Sequence, residues 1–182
     1  MTETHVGKVS LPALSMVRAS TTQSFLLPSS PRLPEGTISE IIPNFLYLGD
    51  RTGSESETQL LQLGITHIIN VTSDIPHSIV SYPPIQYMRI PVDDTFGQNI
   101  DDYFHQAIEF IEQARLNNGK VFVHCMAGIS RSASIVIAYI IYSHRIDLNS
   151  AFRFVSSKRH IISPNLDFMG RLLKFQRSLD II

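Results

Sequence analysis

The chain has 182 residues, 43% of them hydrophobic and 17% charged, which suits a packed core and excludes a wholly disordered polymer. At about 150 residues per domain, the length predicts one domain. Fifteen basic and sixteen acidic side chains leave a net charge of −1, so no basic field marks a nucleic-acid binder. No apolar run reaches the roughly 18 residues of a membrane-spanning helix. The apolar stretch between Lys8 and Arg18 is interrupted by Ser10, Pro12 and Ser15, which is not a signal-peptide pattern. Thr2 stands where N-myristoylation needs Gly. The single cysteine, Cys125, excludes an internal disulfide framework and a multi-cysteine zinc site.

Residues 1–37 hold 4 of the 10 prolines and 11 Ser or Thr, with no sustained apolar period, and are expected to be a disordered tail. Within it, Ser30-Pro31 reads as a solvated dipeptide or a proline-directed phosphorylation site. Leu11, Leu14 and Met16 have the spacing of a docking peptide, weakly supported by the single preceding basic residue Lys8. From residue 38 the pattern is globular. Ile38–Ile42 and Phe45–Leu48 read as two short strands separated by the turn pair Pro43-Asn44. Ser54–Leu63 reads as a helix stopped by Gly64, Thr66–Val71 as a buried strand, and Tyr87–Ile90 as a strand stopped by Pro91. Ile100–Asn117 has Phe104, Ile108 and Ile111 at helical spacing, with Asn118-Gly119 as the stop. Lys120–His124 is a strand with an apolar middle. Ser132–Tyr142 is a helix apolar almost all round, hence central and buried. Leu148–Lys158 and Leu166–Leu179 are two further helices, the last entered through Ser163-Pro164-Asn165. Early strands alternating with helices, then closing helices, predict an α/β domain over 38–182 with a central mixed sheet flanked by helices.

The chemistry concentrates at His124-Cys-Met-Ala-Gly-Ile-Ser-Arg-Ser132. A buried strand ends at His124, a buried helix begins near Ser130, and Cys125 faces that helix N-terminus across a small-residue loop. A helix N-terminus carries unpaired N–H groups and about half a positive charge, both of which favour a thiolate. The N–H groups of Met126, Ala127, Gly128, Ile129, Ser130 and Arg131 can converge on one anion, with Gly128 allowing the backbone angle that closes the ring. The Arg131 guanidinium can grip two phosphate oxygens at once. A nucleophile, oxyanion donors and a charge clamp in one pocket fit a tetrahedral dianion such as phosphate. A lone Cys at a strand end is most often inert core, but His124, Gly128, Arg131 and Ser132 around this one outweigh that reading.

The stretch His124-Cys125-x-x-Gly128-x-x-Arg131-Ser132 resembles the signature loop of the cysteine-based protein tyrosine phosphatases. Ile42–Gly49 is similar to the opening of dual-specificity phosphatase domains, Pro91-Val-Asp-Asp-Thr95 to their general-acid loop, and Lys158–Asn165 with Phe168-Met169 to their closing motif. The likeness is strongest to the catalytic domain of mitogen-activated protein kinase phosphatases, through Ala127–Ala133 and Ile162–Met169. It covers residues 38–180 and implies the single-domain fold of that family. Those kinase phosphatases usually carry an N-terminal rhodanese-like docking domain, for which residues 1–37 are too short, so the resemblance is to a small, atypical member.

The resemblance implies a two-step reaction without metal or other cofactor. Cys125 attacks phosphorus, and Arg131 and the loop N–H groups hold the equatorial oxygens. A carboxylic acid protonates the leaving group. The family match points to Asp94; adjacent Asp93 is the rival, since chemistry alone does not rank the two. Asp94 then serves as base for the attacking water, and Ser132 donates to the Cys125 sulfur or, alternatively, caps the helix start. His124 is expected to orient the loop through its backbone. Asn165 is expected to brace the loop and to cap the last helix. Arg159 is expected on the solvated surface, with contact to a second phosphate as the alternative. The other six histidines are scattered, so no metal site is expected.

The implied substrates are phosphorylated proteins carrying phosphotyrosine and phosphoserine or phosphothreonine, with mitogen-activated protein kinases among them, in the cytoplasm, the nucleus or both. A phosphatase for a lipid, RNA or other non-protein phosphate ester is the alternative; Met126–Ser130 adds no positive charge, which disfavours a highly anionic lipid headgroup, and the lack of a carbohydrate module disfavours glycans. A non-catalytic phosphoprotein-binding module is disfavoured because Cys, Arg and acid are all present. No nucleic-acid or membrane partner is expected. A thiol of this kind, with no second cysteine to protect it, is predicted to inactivate reversibly under mild peroxide through a sulfenic acid or sulfenamide. Added thiol should restore activity; inactivation that thiol leaves untouched would refute this.

Overall fold

The computed structural model describes Met1 and residues 38–75 and 85–181. The expectations of a disordered tail, a Ser30-Pro31 site and a docking peptide at Leu11, Leu14 and Met16 lie outside the described residues. The chain divides between residues 32 and 33, and the sheet and helices lie in the second part.

Five strands form one mixed sheet: β1 (Ser39–Ile42), β2 (Leu46–Gly49), β3 (His67–Asn70), β4 (Gln86–Arg89) and β5 (Val121–His124). Their order is β1-β2-β5-β3-β4. β1 pairs antiparallel with β2 through the tight Pro43-Asn44 turn, where Asn44 takes a left-handed φ of 56°; the other three pairings are parallel. The carboxyl ends of β2, β3, β4 and β5 therefore all face one edge, where ligands bind in open α/β sheets. Asp50, Val71, Ile90 and Cys125 are the first residues past those four ends.

The inner strands β2, β5 and β3 are buried on both faces, with successive side chains alternating between them. Leu46, Leu48, Ile69, Val71, Val121 and Val123 join the larger core, and Tyr47, Ile68 and Phe122 join the smaller one on the other side. The larger core is closed by α3 (Phe104–Leu116), α4 (Arg131–His144), α5 (Leu148–Lys158) and α6 (Leu166–Ser178), with α4 packed against the other three. Every residue of α4 from Ser132 to Ile141 is buried, as its all-round apolar sequence requires. The Tyr139 hydroxyl on this helix donates to Glu112 Oε1 of α3 at 2.7 Å. Burial and the Glu112 carboxylate push the Tyr139 pKa far above the tyrosine range. The smaller core is covered by Leu60 and Leu63 of α2 (Glu57–Leu63).

Two expected helices differ in the structure. Ser54–Leu63 is two helices, α1 (Arg51–Glu55) and α2, broken at Ser56 (φ −89°, ψ 81°). The start lies earlier because Asp50 caps it, accepting from Gly53 N at 3.0 Å. Ile100–Asn117 opens as a 3₁₀ turn over Ile100–Tyr103 before α3 proper begins at Phe104. At its end the left-handed residue is Asn118 (φ 53°) and not Gly119. Gly119 is required for space: a Cβ there would lie 2.6 Å from Thr66 Oγ1.

His67 on β3 is 4% exposed and meets the Phe110 ring edge-on at 5.2 Å. Burial holds its pKa below the usual histidine value, partly offset by a hydrogen bond with Gln86. The unfolded chain therefore binds a proton more readily than the folded one. Stability is complete above about pH 6.5, the ordinary histidine value, and falls as pH drops from there through the folded value. Urea midpoints between about pH 5 and 7 should fall with acid in the wild type, and His67→Gln should flatten that slope. An unchanged slope would show that other groups carry it.

Candidate active site

The loop from Cys125 to Ser130 joins the end of β5 to the start of α4. Its shape follows from where its peptide carbonyls go. Met126 O accepts from Arg51 N at 3.1 Å, and Ile129 O accepts from Ser163 N at 2.9 Å. Gly128 O and Ala127 O accept from Nε and Nη2 of Arg159 at 2.9 and 3.4 Å. Ser130 O accepts from both N and Oγ of Ser134 at 2.9 Å. Five consecutive carbonyls are thus turned outward onto surrounding elements. In a trans peptide the next N–H points the opposite way, so the N–H groups of Ala127 through Arg131 turn to the inside of the curl. There the Gly128 N–H lies 3.3 Å from Cys125 Sγ. Gly128 has φ +65°, and a Cβ on it would sit 2.6 Å from Gly49 O and 2.7 Å from Arg159 Nη2, so both backbone angle and space demand glycine.

Cys125 is buried, and its Sγ accepts a second hydrogen bond from Ser132 Oγ at 3.1 Å. Ser132 lies inside α4 with its hydroxyl on the sulfur, so the alternative of a helix cap does not hold. Arg131 Nη1 donates to Val92 O at 3.2 Å, which lays the guanidinium beside the loop after β4. Arg131 Nε is buried and makes no hydrogen bond among the described residues; it stands 4.0 Å from Asp94 Oδ2.

Asp94 and Asp93 diverge. Asp94 Oδ1 accepts from Ser130 Oγ at 2.7 Å and from Asn165 Nδ2 at 2.9 Å, so its carboxylate stands over the curled loop. Asp93 is turned to the other side, accepting from Ser73 Oγ at 2.6 Å. Asn165 makes two side-chain contacts: its Oδ1 caps α6 by accepting from Phe168 N at 2.9 Å, while its Nδ2 donates to Asp94 Oδ1. Its own N–H donates to Ser130 Oγ at 3.2 Å. His124 O accepts from Val71 N at 2.8 Å, and its ring stacks on Phe122 at 5.6 Å, which fixes the strand end from which the loop departs. Cys125, Arg131, Ser132, Asp94, Asn165, His124 and the loop Met126–Ser130 are therefore one assembly, whereas Asp93 is not part of it.

Arg159 corrects the sequence reading. It is 2% exposed, not on the surface, and it holds the loop from behind. Besides the two loop carbonyls it donates from Nη1 to Ser39 Oγ at 3.2 Å and pairs with Asp50 at 3.8 Å. Burial pulls its pKa below the ordinary arginine value, and Asp50 and Cys125 pull it back. The Ser130 hydroxyl is the other contribution that sequence reasoning missed, since it holds Asp94 while the Ser130 N–H faces the curl. A serine two residues before a helix interior reads as a cap, and α4 has no side-chain cap bond there. Among the described residues no group of three or more His, Cys, Asp or Glu could hold a metal ion.

A thiol, inward-turned peptide N–H groups, an arginine and an overhanging carboxylate at the carboxyl edge of a parallel sheet form a cysteine-centred cradle whose donors suit a tetrahedral anion. The model of the dual specificity phosphatase catalytic domain matches residues 46–178. Human dual specificity protein phosphatase 1 is 42% identical over 168 residues, covering 92% of this chain and 45% of that protein. Human dual specificity protein phosphatase 9 is 43% identical over 140 residues, 77% of this chain and 36% of that one. Among solved structures, human DUSP28 superposes with a TM-score of 0.73 at 28% identity, over 84% of this chain and 99% of that one. The human tyrosine phosphatase-like serine/threonine/tyrosine-interacting protein superposes with a TM-score of 0.73 at 32% identity, over 78% and 97%. The chain belongs to the dual specificity phosphatase catalytic-domain family, and it spans less than half the length of these two curated relatives.

Replacing Arg159 by Met should cost about 3 kcal/mol or more, because it removes the buried ion pair with Asp50 and the donors to two loop carbonyls. Urea midpoints should report that loss, and affinity for orthovanadate should fall at least about tenfold if the loop relaxes. Wild-type vanadate affinity in a folded Arg159→Met chain would show that the loop stands without it.

Proposed function

We propose that residues 38–182 form the catalytic unit of a metal-independent, cysteine-dependent protein phosphatase that hydrolyses phosphotyrosine and phosphoserine or phosphothreonine. The observation that carries this reading is the convergence of Cys125 Sγ, the inward N–H groups of the loop, the Arg131 guanidinium with its buried Nε and the Asp94 carboxylate on one cradle. Family membership supports it independently.

The steps follow from the geometry. A phosphate monoester enters with its oxygens on the loop N–H groups and Arg131. Its oxygens give the buried Arg131 Nε a hydrogen-bond acceptor. The Cys125 thiolate attacks phosphorus opposite the ester oxygen, forming an S–P bond as the P–O bond breaks. Asp94, as the acid, gives its proton to the departing oxygen, which leaves as a phenol or alcohol. Water then attacks the phosphocysteine, Asp94 takes its proton, and the S–P bond breaks to release inorganic phosphate. The Ser132 hydroxyl stabilises the returning thiolate. Asp94 suits both proton transfers because Ser130 and Asn165 hold it over the leaving side of the cradle.

Mitogen-activated protein kinases are the proposed substrates, on the likeness of Ala127–Ala133 and Ile162–Met169 to the phosphatases that act on them. An activity dependent on a reduced thiol suits the cytoplasm or nucleus. Among the described residues no helix is long and apolar enough to cross a membrane.

Hydrolysis of p-nitrophenyl phosphate against pH, in excess EDTA, tests the reading. Wild-type activity should survive EDTA, and Cys125→Ser should abolish it. Asp94→Asn should lower the rate about a hundredfold or more and remove the basic limb of the profile, while Asp93→Asn should keep it. Phosphopeptide binding without turnover by the wild type would instead establish a binding module.

A further inference from the structure

The loop that carries Asp94 is tied at three successive points to α6 and the residue that caps it. Asn165 Nδ2 donates to Asp94 Oδ1 at 2.9 Å. Two residues along, in α6, Asp167 Oδ2 accepts from the backbone N–H of Gly97 at 3.1 Å. One turn further, Arg171 donates from Nε to that same Asp167 oxygen at 3.1 Å and from Nη1 to Asp101 Oδ1. Asp101 sits in the 3₁₀ turn Ile100–Tyr103, where the loop ends. Asp167 therefore bridges a backbone donor of the loop and the guanidinium that holds the loop's far end. These bonds join residues 70 positions apart in the chain.

We propose that Asp101, Asp167 and Arg171 form an ionic clamp that positions the loop from Asp93 to Asn99, and with it the Asp94 carboxyl, over the phosphate cradle. The three are positioning residues, acting only through the acid. The inference rests on the reading of Asp94 as the proton donor.

The tie at Asp94 alone is insufficient. The Asp94 side chain is 37% exposed, and two hydrogen bonds to an exposed carboxylate leave a loop with little buried surface free to swing. Gly97, at φ +82°, adds backbone freedom three residues from the acid, and Phe96 beside it is 73% exposed and anchors nothing. The clamp lies where it restrains that freedom. It grips Gly97 itself and the loop's last turn, while Arg131 Nη1 on Val92 O holds the first. Its ion pairs are also sheltered. The Arg171, Asp101 and Asp167 side chains are 20%, 19% and 25% exposed, so solvent screens them less than it would a surface pair. Lys174 Nζ, 4.0 Å from Asp101 Oδ2, adds a weaker exposed contact. The plainer role for Asp167 and Arg171 is an i,i+4 pair in the first turns of α6. That role leaves the Gly97 bond and the Asp101 bond without purpose.

A residue that acts through the general acid has a kinetic mark that a merely structural one lacks. Protonation matters most when the leaving oxygen is basic and least when the departing phenol is already acidic. Rates should therefore be measured for a series of aryl phosphates from phenyl to p-nitrophenyl and more acidic phenols, with orthovanadate affinity alongside. Asp167→Ala and Arg171→Ala should lower kcat for phenyl phosphate about tenfold or more, change kcat for the most acidic phenol less than about twofold, and leave vanadate affinity unchanged. Asp167→Asn, which keeps an acceptor for the Gly97 N–H, should fall between wild type and Asp167→Ala and guards against misfolding of the alanine variant. In an Asp94→Asn background, Asp167→Ala should have no further effect, since the group it positions is already disabled.

An equal loss across the series, or losses that multiply with Asp94→Asn, would overturn the clamp while leaving the phosphatase reading intact. A wild-type chain without turnover, or an Asp94→Asn chain with the wild-type leaving-group dependence, would overturn the reading of Asp94 and the clamp with it.

Discussion

A loop that turns five consecutive peptide N–H groups onto one point must turn five carbonyls away from it, and each needs a donor. That requirement organises the molecule around the cradle. α1 contributes the Arg51 N–H, the segment before α6 contributes the Ser163 N–H, α4 contributes Ser134, and the end of α5 contributes the Arg159 guanidinium. Arg159 is the most demanding of these. It is a cation taken almost wholly out of water, which costs several kcal/mol and is offset only by nearly complete pairing. Asp50, Ser39, Ala127 and Gly128 supply that pairing, so one side chain ties β1, the β2–α1 junction and the loop together.

The sheet and the central helix make that organisation rigid. β5 lies between β2 and β3, so the residue before Cys125 is held on both sides, by Gly49 and by Asn70. α4 is buried along ten residues, so the helix that begins at Arg131 has no slack with which to shift its N-terminus. Cys125 and Arg131 are thus placed by the deepest parts of the core. The Asp94 loop is different. It follows the edge strand β4, whose side chains are only partly buried or exposed, and it borrows its order from side-chain bonds to α6 and to Ser130 at the start of α4. The Cys125 thiol and the inward N–H groups of the loop are built on packing, and the Asp94 carboxylate is held by polar ties. A site assembled this way keeps the Cys125 sulfur in place, while the position of the Asp94 carboxylate depends on a few identifiable residues.

Much of this was legible along the chain because it is local. The β-branched runs, the all-apolar helix after Ser130 and the Cys125–Arg131 spacing are properties of neighbouring residues, and strand, helix and cradle follow from them. The boundaries of α5 coincide with the expected Leu148–Lys158. Where the reading failed, a cap or a distant partner decided. Asp50 moves the start of α1 back from Ser54, and the sequence pattern joins Ser54 to α2 because acidic residues there suit a first turn leading to Leu60 and Leu63.

By itself the sequence determined the α/β order, the cradle and the candidate nucleophile, arginine and paired carboxylates, because backbone propensity and short-range spacing carry them. Tertiary structure alone decided the rest. It turned Asp94 toward Ser130 and Asn165 and Asp93 toward Ser73, although the two are adjacent and chemically alike. It buried Arg159 against partners 31 and 120 residues away, and joined Asp101 to Arg171 across 70. A long-range polar contact leaves no local pattern, because it is selected by where two surfaces meet after the core has packed.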